Sequence, residues 1–391
     1  MTYRTGLLLL TLLAVLACAP ARAGTPEGAE VDAPEVVLLH STERHDAHTR
    51  ALARGLAEAL AGQAAVVPVL LGRRERGDDF FDSRFETLRR EFGAASPAAV
   101  VADGEAAFAF VRKYREDIFV GSPVIYCSMP APDPQYLRQC GDCTGLPETA
   151  DPAATLKLLF TLRPQTGLVV GIMDDSPGTD ALRRASETAM ETDMETDMKA
   201  LGEQRPGQAR MLFPGHEPGD DAGLDMAQLR AVAASVPRAG AVLFLGFPDL
   251  DGERAGNEDE AVRQLVDRSV GPVFTVSDRW MGSGVAGGAM VPGHALGAAI
   301  GVLVLRIMDG EPAGEMLPEP VMPRPVVDMA VLARFGVARE LVPADALVLN
   351  EPSRPQEPAG AAPTGFAALA LAGAFGAAYL LLRRRAGRRD R

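Results

Sequence analysis

The sequence predicts an α/β protein of two lobes with parallel sheets, followed by one transmembrane helix. Three observations predict it. Short continuous apolar runs alternate with amphipathic stretches from Glu35 to Phe335. That alternation breaks once, over Ser128–Ala150, and then restarts. A charge-free run, Gly365–Leu382, stands directly before Arg383-Arg384-Arg385.

The elements follow in order. Val36–Leu39 reads as a buried strand, His48–Leu60 as an amphipathic helix and Ala65–Leu71 as the next strand. Phe85–Phe92 is helical, Ala98–Ala102 a strand, Glu105–Tyr114 a helix and Pro123–Cys127 a strand. Apolar runs without alternation suit a parallel sheet covered on both faces. Ser128–Ala150, rich in Pro, Asp and Gly, reads as a loop crossing between lobes. Then come a helix at Pro152–Leu162, a strand at Gly167–Met173, a long helix at Thr179–Gly202 and a strand at Ala209–Phe213. Met226–Val236 is a helix, Ala241–Phe247 a strand, Glu258–Ser269 a helix and Pro272–Val276 a strand. Trp280–Gly288 reads as a Gly-rich turn, Gly293–Met308 as a helix, and Pro325–Phe335 as a strand with a short helix. Two such units in series predict two Rossmann-like lobes. The first is expected over about 35–144 and 286–308, the second over about 145–285 and 318–350.

The long helix repeats Met-Glu-Thr-Asp at 190–193 and 194–197. Met190, Met194 and Met198 share one face, which reads as an apolar face against the sheet rather than as thioether metal ligands.

The ends carry their own signals. Residues 1–23 read as a cleavable signal peptide: Arg4, the apolar Leu7–Leu16, then Ala21-Arg22-Ala23. A lipoprotein signal at Cys18 is the rival, against which Leu16 counts. Residues 24–34 are a polar leader and 351–364 a Pro/Ala-rich extended linker. The eighteen residues 365–382 reach roughly 27 Å as a helix, about one bilayer core. Residues 383–391 form an Arg-rich tail, which the positive-inside rule keeps cytoplasmic. The expected location is the periplasmic face of the cytoplasmic membrane. A buried Ala-rich helix and a processed sorting tail are the alternatives for the span.

Composition excludes some classes. With 47% hydrophobic and 23% charged residues the chain has ample core material, so wholesale disorder is excluded. A net charge of −13 argues against nucleic acid as a partner. Once Cys18 leaves with the signal, Cys127, Cys140 and Cys143 remain. A structural disulfide among these three is the expectation, with the pairing open. Cys140-Gly141-Asp142-Cys143 has redox-motif spacing, but it is followed by Thr144 and a loop.

In open α/β sheets ligands sit beyond the carboxyl ends of the strands. Those positions hold His40, Ser41, Asp103, Gly104, Ser128, Asp174, Asp175, Ser176, Gly246, Phe247, Ser277 and Asp278. They offer hydroxyls, carboxylates and backbone N–H groups, which together suit an amino-acid-like zwitterion. Helix capping and turn formation are the structural uses of the same residues. Trp280, the only Trp, either stacks on a ligand or packs the hinge. His45 and His48 lie at helical spacing with no third ligand nearby, so no metal is assigned. No Gly-x-Ser-x-Gly elbow, phosphate loop or His-Glu-x-x-His is present. No catalytic residue and no cofactor are assigned.

Several pieces carry a resemblance: Val37-Leu38-Leu39-His40-Ser41, Val100-Val101-Ala102-Asp103-Gly104, Pro123-Val124-Ile125-Tyr126-Cys127 and Gly167-Leu168-Val169-Val170-Gly171-Ile172. The tail adds Gly284-Val285-Ala286-Gly287-Gly288, Arg306-Ile307-Met308-Asp309-Gly310-Glu311-Pro312, Val327-Asp328 and Phe335-Gly336-Val337. In this order, over about Val36–Asn350, the chain resembles the ABC-transporter substrate-binding proteins of the type I periplasmic-binding fold. It is especially similar to the subgroup that also serves as sensor ectodomains. The resemblance implies two lobes, three crossovers, a small molecule in the cleft and no chemistry on it. It implies an ABC permease as partner, or a membrane sensor protein if the chain is a sensing ectodomain.

Overall fold

The computed structural model describes residues 33–352 except 43–44, 73–77, 94–95, 149, 175–176, 202–208, 217–222 and 248–257. The expected signal peptide, the membrane span 365–382 and the Arg tail lie outside the described residues, as do most of the leader and most of the linker. Among the described residues no helix is long and apolar enough to cross a membrane.

The first lobe runs β1 (Glu35–His40), α1 (Ala47–Leu60), β2 (Ala65–Leu70), α2 (Asp78–Phe92), β3 (Ala99–Asp103), α3 (Glu105–Ile118), β4 (Val124–Cys127), α4 (Pro134–Cys140) and β5 (Cys143–Leu146). Its sheet is wholly parallel, in the order β2-β1-β3-β4-β5. Every residue of β3 and β4 is buried, because helices cover both faces.

The second lobe runs α5 (Pro152–Leu162), β6 (Leu168–Ile172), α6 (Pro177–Leu201), β7 (Arg210–Leu212), α7 (Met226–Ser235), β8 (Gly240–Phe244), α8 (Glu258–Arg268), β9 (Val273–Thr275) and β10 (Gly287–Met290). The chain then returns to the first lobe for α9 (Gly293–Met308), which packs along α1. It re-enters the second lobe for β11 (Arg324–Asp328), α10 (Met329–Arg334) and β12 (Leu347–Leu349). The second sheet has the order β12-β11-β10-β9-β8-β6-β7. Met190 on α6 is buried in this lobe's core.

Three sequence expectations are corrected. Ser128–Ala150 is not all loop. Asp133 caps α4 by accepting from Gln135 N, Pro134 opens the helix, and β5 adds an edge strand to the first sheet. The first crossing therefore follows Leu146. The Gly-rich run is also not all turn. Gly287–Met290 pairs with β9 on one side and β11 on the other, so the return to the first lobe begins after Met290 and not at Ala286. Glycine is needed here, because a Cβ at Gly288 would stand 1.7 Å from the Thr275 carbonyl oxygen. Finally, the second sheet is mixed: β10 and β11 are antiparallel. β10 ends at the crossing and β11 begins there, so the two must run in opposite directions.

Cys140 and Cys143 form a disulfide, and Cys127 is a buried free thiol. The Arg115 guanidinium donates to Cys140 Sγ at 2.7 Å and to Asp142 Oδ1 at 2.8 Å, which ties α3 to this loop.

Candidate functional site

In the first sheet the chain reverses its direction of growth between β1 and β3. The carboxyl ends of β1 and β3 are where a crevice opens, and where a ligand is expected. His40 and Asp103 are register partners at those ends. The equivalent reversal in the second sheet lies between β6 and β8, at Asp174 and Gly246.

The first reversal point holds a buried polar cluster. His40 Nδ1 pairs with Asp103 Oδ2 at 2.6 Å, and both residues are buried. Ser41 Oγ donates to the Asp103 carbonyl at 2.7 Å and accepts from Ala107 N at 2.8 Å, which seats the start of α3. Gly104 between them has φ +89°, and a Cβ there would stand 2.7 Å from Ser41 Oγ. Ser128 follows β4 with φ +54°, a conformation uncommon outside glycine.

His48 joins this cluster to the second lobe. It sits in the first turn of α1, whose cap Asp46 accepts from Thr49 N at 2.8 Å. His48 Nδ1 lies 2.6 Å from Asp278 Oδ1, on the turn after β9. Its Nε2 lies 2.9 Å from Ser128 Oγ and 3.4 Å from Asp103 Oδ1. Asp278 Oδ2 accepts from Gly293 N at 2.5 Å, at the start of α9. Beside it Arg279 pairs with Asp46 and with Glu258, each at 3.2 Å. α1, α9 and the turn at Asp278–Trp280 thus meet at the hinge.

The electrostatics decide the chemistry. Burial alone would lower the His48 pKa, but the Asp278 and Asp103 carboxylates and their hydrogen bonds outweigh it and hold His48 well above its ordinary value. Burial would raise Asp103, but the His48 charge and the hydrogen bonds from His40 and His48 hold it well below the usual carboxylate range. Burial and the Asp103 charge push the Cys127 thiol up. A neutral His48 between Ser128 and Asp278 would have the connectivity of a nucleophile-activating triad. A His48 held in its charged form by the two carboxylates donates from both nitrogens instead.

Glu148 lies just past β5, with its backbone N donating to the Met129 carbonyl at 2.9 Å. Burial is the largest influence on its carboxyl. His48 offsets this, while the Asp278 and Asp103 charges add to it, and the pKa stands at about 7.

The residues expected from the sequence divide into groups. His40, Ser41, Asp103, Gly104, Ser128 and Asp278 come together around His48. Asp174 and Gly246 meet at the second reversal point, where a Cβ on Gly246 would stand 3.4 Å from Asp174 Oδ2, and the Thr179 hydroxyl bonds Asp174. Ser277 caps the turn carrying Asp278 by accepting from Arg279 N at 3.4 Å. Phe247 and Trp280 pack into the second lobe's core. The Trp280 ring stands edge-on to Phe244, with the Arg279 guanidinium 4.6 Å from its centroid, so it packs the hinge. Asp175 and Ser176 lie outside the described residues. His48 and Glu148 are additions. His48 carried a legible signal, because it stands on the same four-residue stripe as Leu52, Leu56 and Leu60, all buried. Glu148 carried none.

No family model matches the chain, and no curated protein matches it in sequence. Solved structures do match. An ABC domain from Streptococcus pneumonia, in complex with L-tryptophan, is 13% identical with a TM-score of 0.54, and the match covers 81% of this chain and 99% of that one. A conserved domain protein from Vibrio cholerae is 13% identical with a TM-score of 0.52 over the same shares. The fold is that of the type I periplasmic-binding proteins. A substrate-binding protein with adhesive properties from Clostridium difficile, in its ligand-free, open form, is 10% identical with a TM-score of 0.52, again over 81% and 99%. Two lobes with three chain crossings at one hinge are common ground between this geometry and the periplasmic-binding fold.

Proposed function

We propose that this chain is a membrane-tethered, extracytoplasmic solute-binding protein that captures a small molecule between its lobes and passes it to an ABC-type importer. One observation carries the reading. Asp103 and Ser128, at the carboxyl ends of β3 and β4 in the first lobe, are joined through His48 to Asp278 on the turn after β9 in the second lobe. Likeness to the tryptophan-bound Streptococcus domain supports a small-molecule ligand. The charged state of His48 supports binding without chemistry. The apolar run at 365–382 and the signal at 1–23 support tethering outside the cytoplasm.

A thermal-shift screen of the purified chain against amino acids, nucleosides, sugars and peptides tests the reading. A true ligand at 100 times its Kd stabilises by about 2.7 kcal/mol. A screen without a single shift would sink the proposal. Protease added to spheroplasts should digest the body; a protected body with a cleaved Arg tail reverses the orientation. Co-purification with a permease supports transport, and with a separate kinase it moves the protein to ligand sensing.

A further inference from the structure

The Cys140–Cys143 disulfide adds little as a staple. It joins residues three apart, and the shorter the loop, the less freedom a cross-link removes from the unfolded chain. The loop is also held without it. Val124 N donates to the Asp142 carbonyl at 3.0 Å, Asp133 caps α4, and Arg115 Nη2 donates to Asp142 Oδ1 at 2.8 Å. Two features suit a bond that opens instead. The sulfurs are unequal: Cys140, at the end of α4, is half-buried, whereas Cys143, on β5, is buried. A cation is also aimed at them. Arg115 is buried, and its Nη1 donates to Cys140 Sγ at 2.7 Å and lies 3.5 Å from Cys143 Sγ. The other charges around it are Asp142 on Nη2, the exposed Glu116 at 3.5 Å from Nε, Arg112 over the Tyr136 ring, and Arg138 in the last turn of α4. The group turned to the sulfurs is therefore Nη1.

We infer that Cys140–Cys143 is a redox-exchange site, which a dithiol reduces by attack on Cys140 Sγ while Arg115 steadies the thiolates that form. The site is separate from the interlobe cleft and does not depend on the solute-binding reading. A disulfide sulfur is a weak acceptor, whereas a thiolate is a charge partner for a buried guanidinium. Arg115 therefore favours the reduced pair over the disulfide, which makes the bond easier to reduce. The end of α4 opposes a thiolate at Cys140, but a partial charge on so short a helix is outweighed by a full one in contact. The exchange runs in two steps. One thiol of the dithiol loses its proton and attacks Cys140 Sγ. The bond to Cys143 breaks, its electron pair goes to Cys143 Sγ beside Arg115, and a mixed disulfide stands on Cys140. The second thiol then attacks its own partner sulfur in that mixed disulfide. Cys140 leaves as a thiolate beside Nη1, and the reductant departs as a disulfide. Two electrons have passed to the cysteines, with the two protons shed by the dithiol passing to them or to solvent. A small dithiol and a protein dithiol share this chemistry, and the test separates them.

The test uses the purified full chain in its native state. It is equilibrated in mixtures of reduced and oxidised glutathione, quenched in acid and alkylated, and peptide mass spectrometry reads each cysteine. The buried Cys127 thiol, alkylated only after unfolding, is the internal control. The expected result is reduction of the pair by glutathione with the circular dichroism unchanged, and a glutathione adduct on Cys140 rather than Cys143. Cys143→Ser should trap that adduct. Arg115→Gln should shift the equilibrium towards the disulfide by roughly tenfold, equal to about 30 mV for two electrons. It should also raise the pH midpoint for alkylation of reduced Cys140, which a merely structural Arg115 would leave in place. Reduction rates with dithiothreitol and with reduced thioredoxin at equal thiol concentration separate the sources, and the faster one names the reductant. A pair that stays oxidised in excess reduced glutathione and yields only in urea is a structural disulfide, and overturns the proposal without use of any variant. An adduct on Cys143 instead of Cys140 overturns the order of attack. An unchanged equilibrium and alkylation midpoint in a folded Arg115→Gln overturn the part given to Arg115.

Discussion

His48 is the residue on which the hinge turns, and its value is electrostatic before it is steric. Removing it leaves Asp103 and Asp278 facing each other, each with a buried oxygen that has lost its donor. Breaking such a buried pair costs about 3–5 kcal/mol. His48→Ala should lower the unfolding free energy measured in urea by that amount, whereas Ser128→Ala, which removes one acceptor, should cost about 1 kcal/mol. The sign with pH follows from the raised pKa of His48. Its contribution is fully present below about 6.5, the unfolded value, and fades as the pH rises through the higher folded value. Denaturation across pH 6–10 should show a decline in the wild type that His48→Ala lacks. Glu148 acts in the same sense with pH, because a carboxyl raised to about 7 binds a proton in the folded state that it releases when unfolded. Stability is lost between about 4.5 and 7, by up to about 3 kcal/mol. Glu148→Gln should therefore raise the Tm at pH 8 and leave it unchanged at pH 5; equal Tm values at pH 8 would contradict this. Neither role was open to sequence reasoning in full. His48 stood out as a polar residue on an apolar stripe, but its partners lie 55 to 230 residues away along the chain. Glu148 sits in a Pro-Glu-Thr loop with no local pattern at all.

At the scale of elements, α1 and α9 hold the first lobe to the hinge through close backbone contact. A Cβ on Gly55 would stand 2.1 Å from the His294 carbonyl oxygen, and one on Gly297 the same distance from the Leu52 carbonyl oxygen. The obstructing atoms are backbone, so an alanine must push the helices apart. Gly297→Ala should cost about 1–3 kcal/mol, the usual penalty for overpacking, even though alanine is the better helix former. It should also disturb His48 and Asp278, which meet at the same helix ends. A denaturation midpoint equal to the wild type would show that the helices can yield. The elements that were legible have strong local signals. α9 begins and ends as expected, between Pro292 and Asp309-Gly310, and α5 runs from Pro152 to Leu162 behind the cap of Asp151, which accepts from Ala154 N at 2.8 Å. Those missed lack such signals. β5 contains Cys143, Thr144 and Gly145, and β10 begins with Gly287-Gly288, so neither shows β-branched or aromatic enrichment. Both are strands because neighbouring strands supply the hydrogen bonds.

Across the whole molecule, the fold class was legible because the β/α rhythm repeats twice, and the crossing points were not, because pairing in three dimensions sets them. The chain passes between lobes after β5, after β10 and after α9. Two of these crossings flank the contacts of His48 and Arg279, so movement of one lobe against the other must be felt at Asp278 and its neighbour Trp280. Trp280 is well placed to report it. The ring is buried in the second lobe, edge-on to Phe244, and the Arg279 guanidinium over it is held by Asp46 of the first lobe and Glu258 of the second. A hinge rotation that shifts Asp46 relative to Glu258 moves the cation across the indole face and changes its emission. The single Trp makes the signal unambiguous. Saturation with a ligand found in the thermal-shift screen should therefore shift or quench Trp280 fluorescence in the wild type. Asp46→Asn, which weakens the first-lobe hold on Arg279, should alter that response. If the emission stays constant in both at saturation, the lobes do not rotate about this hinge, and ligand capture proceeds in a cleft already closed.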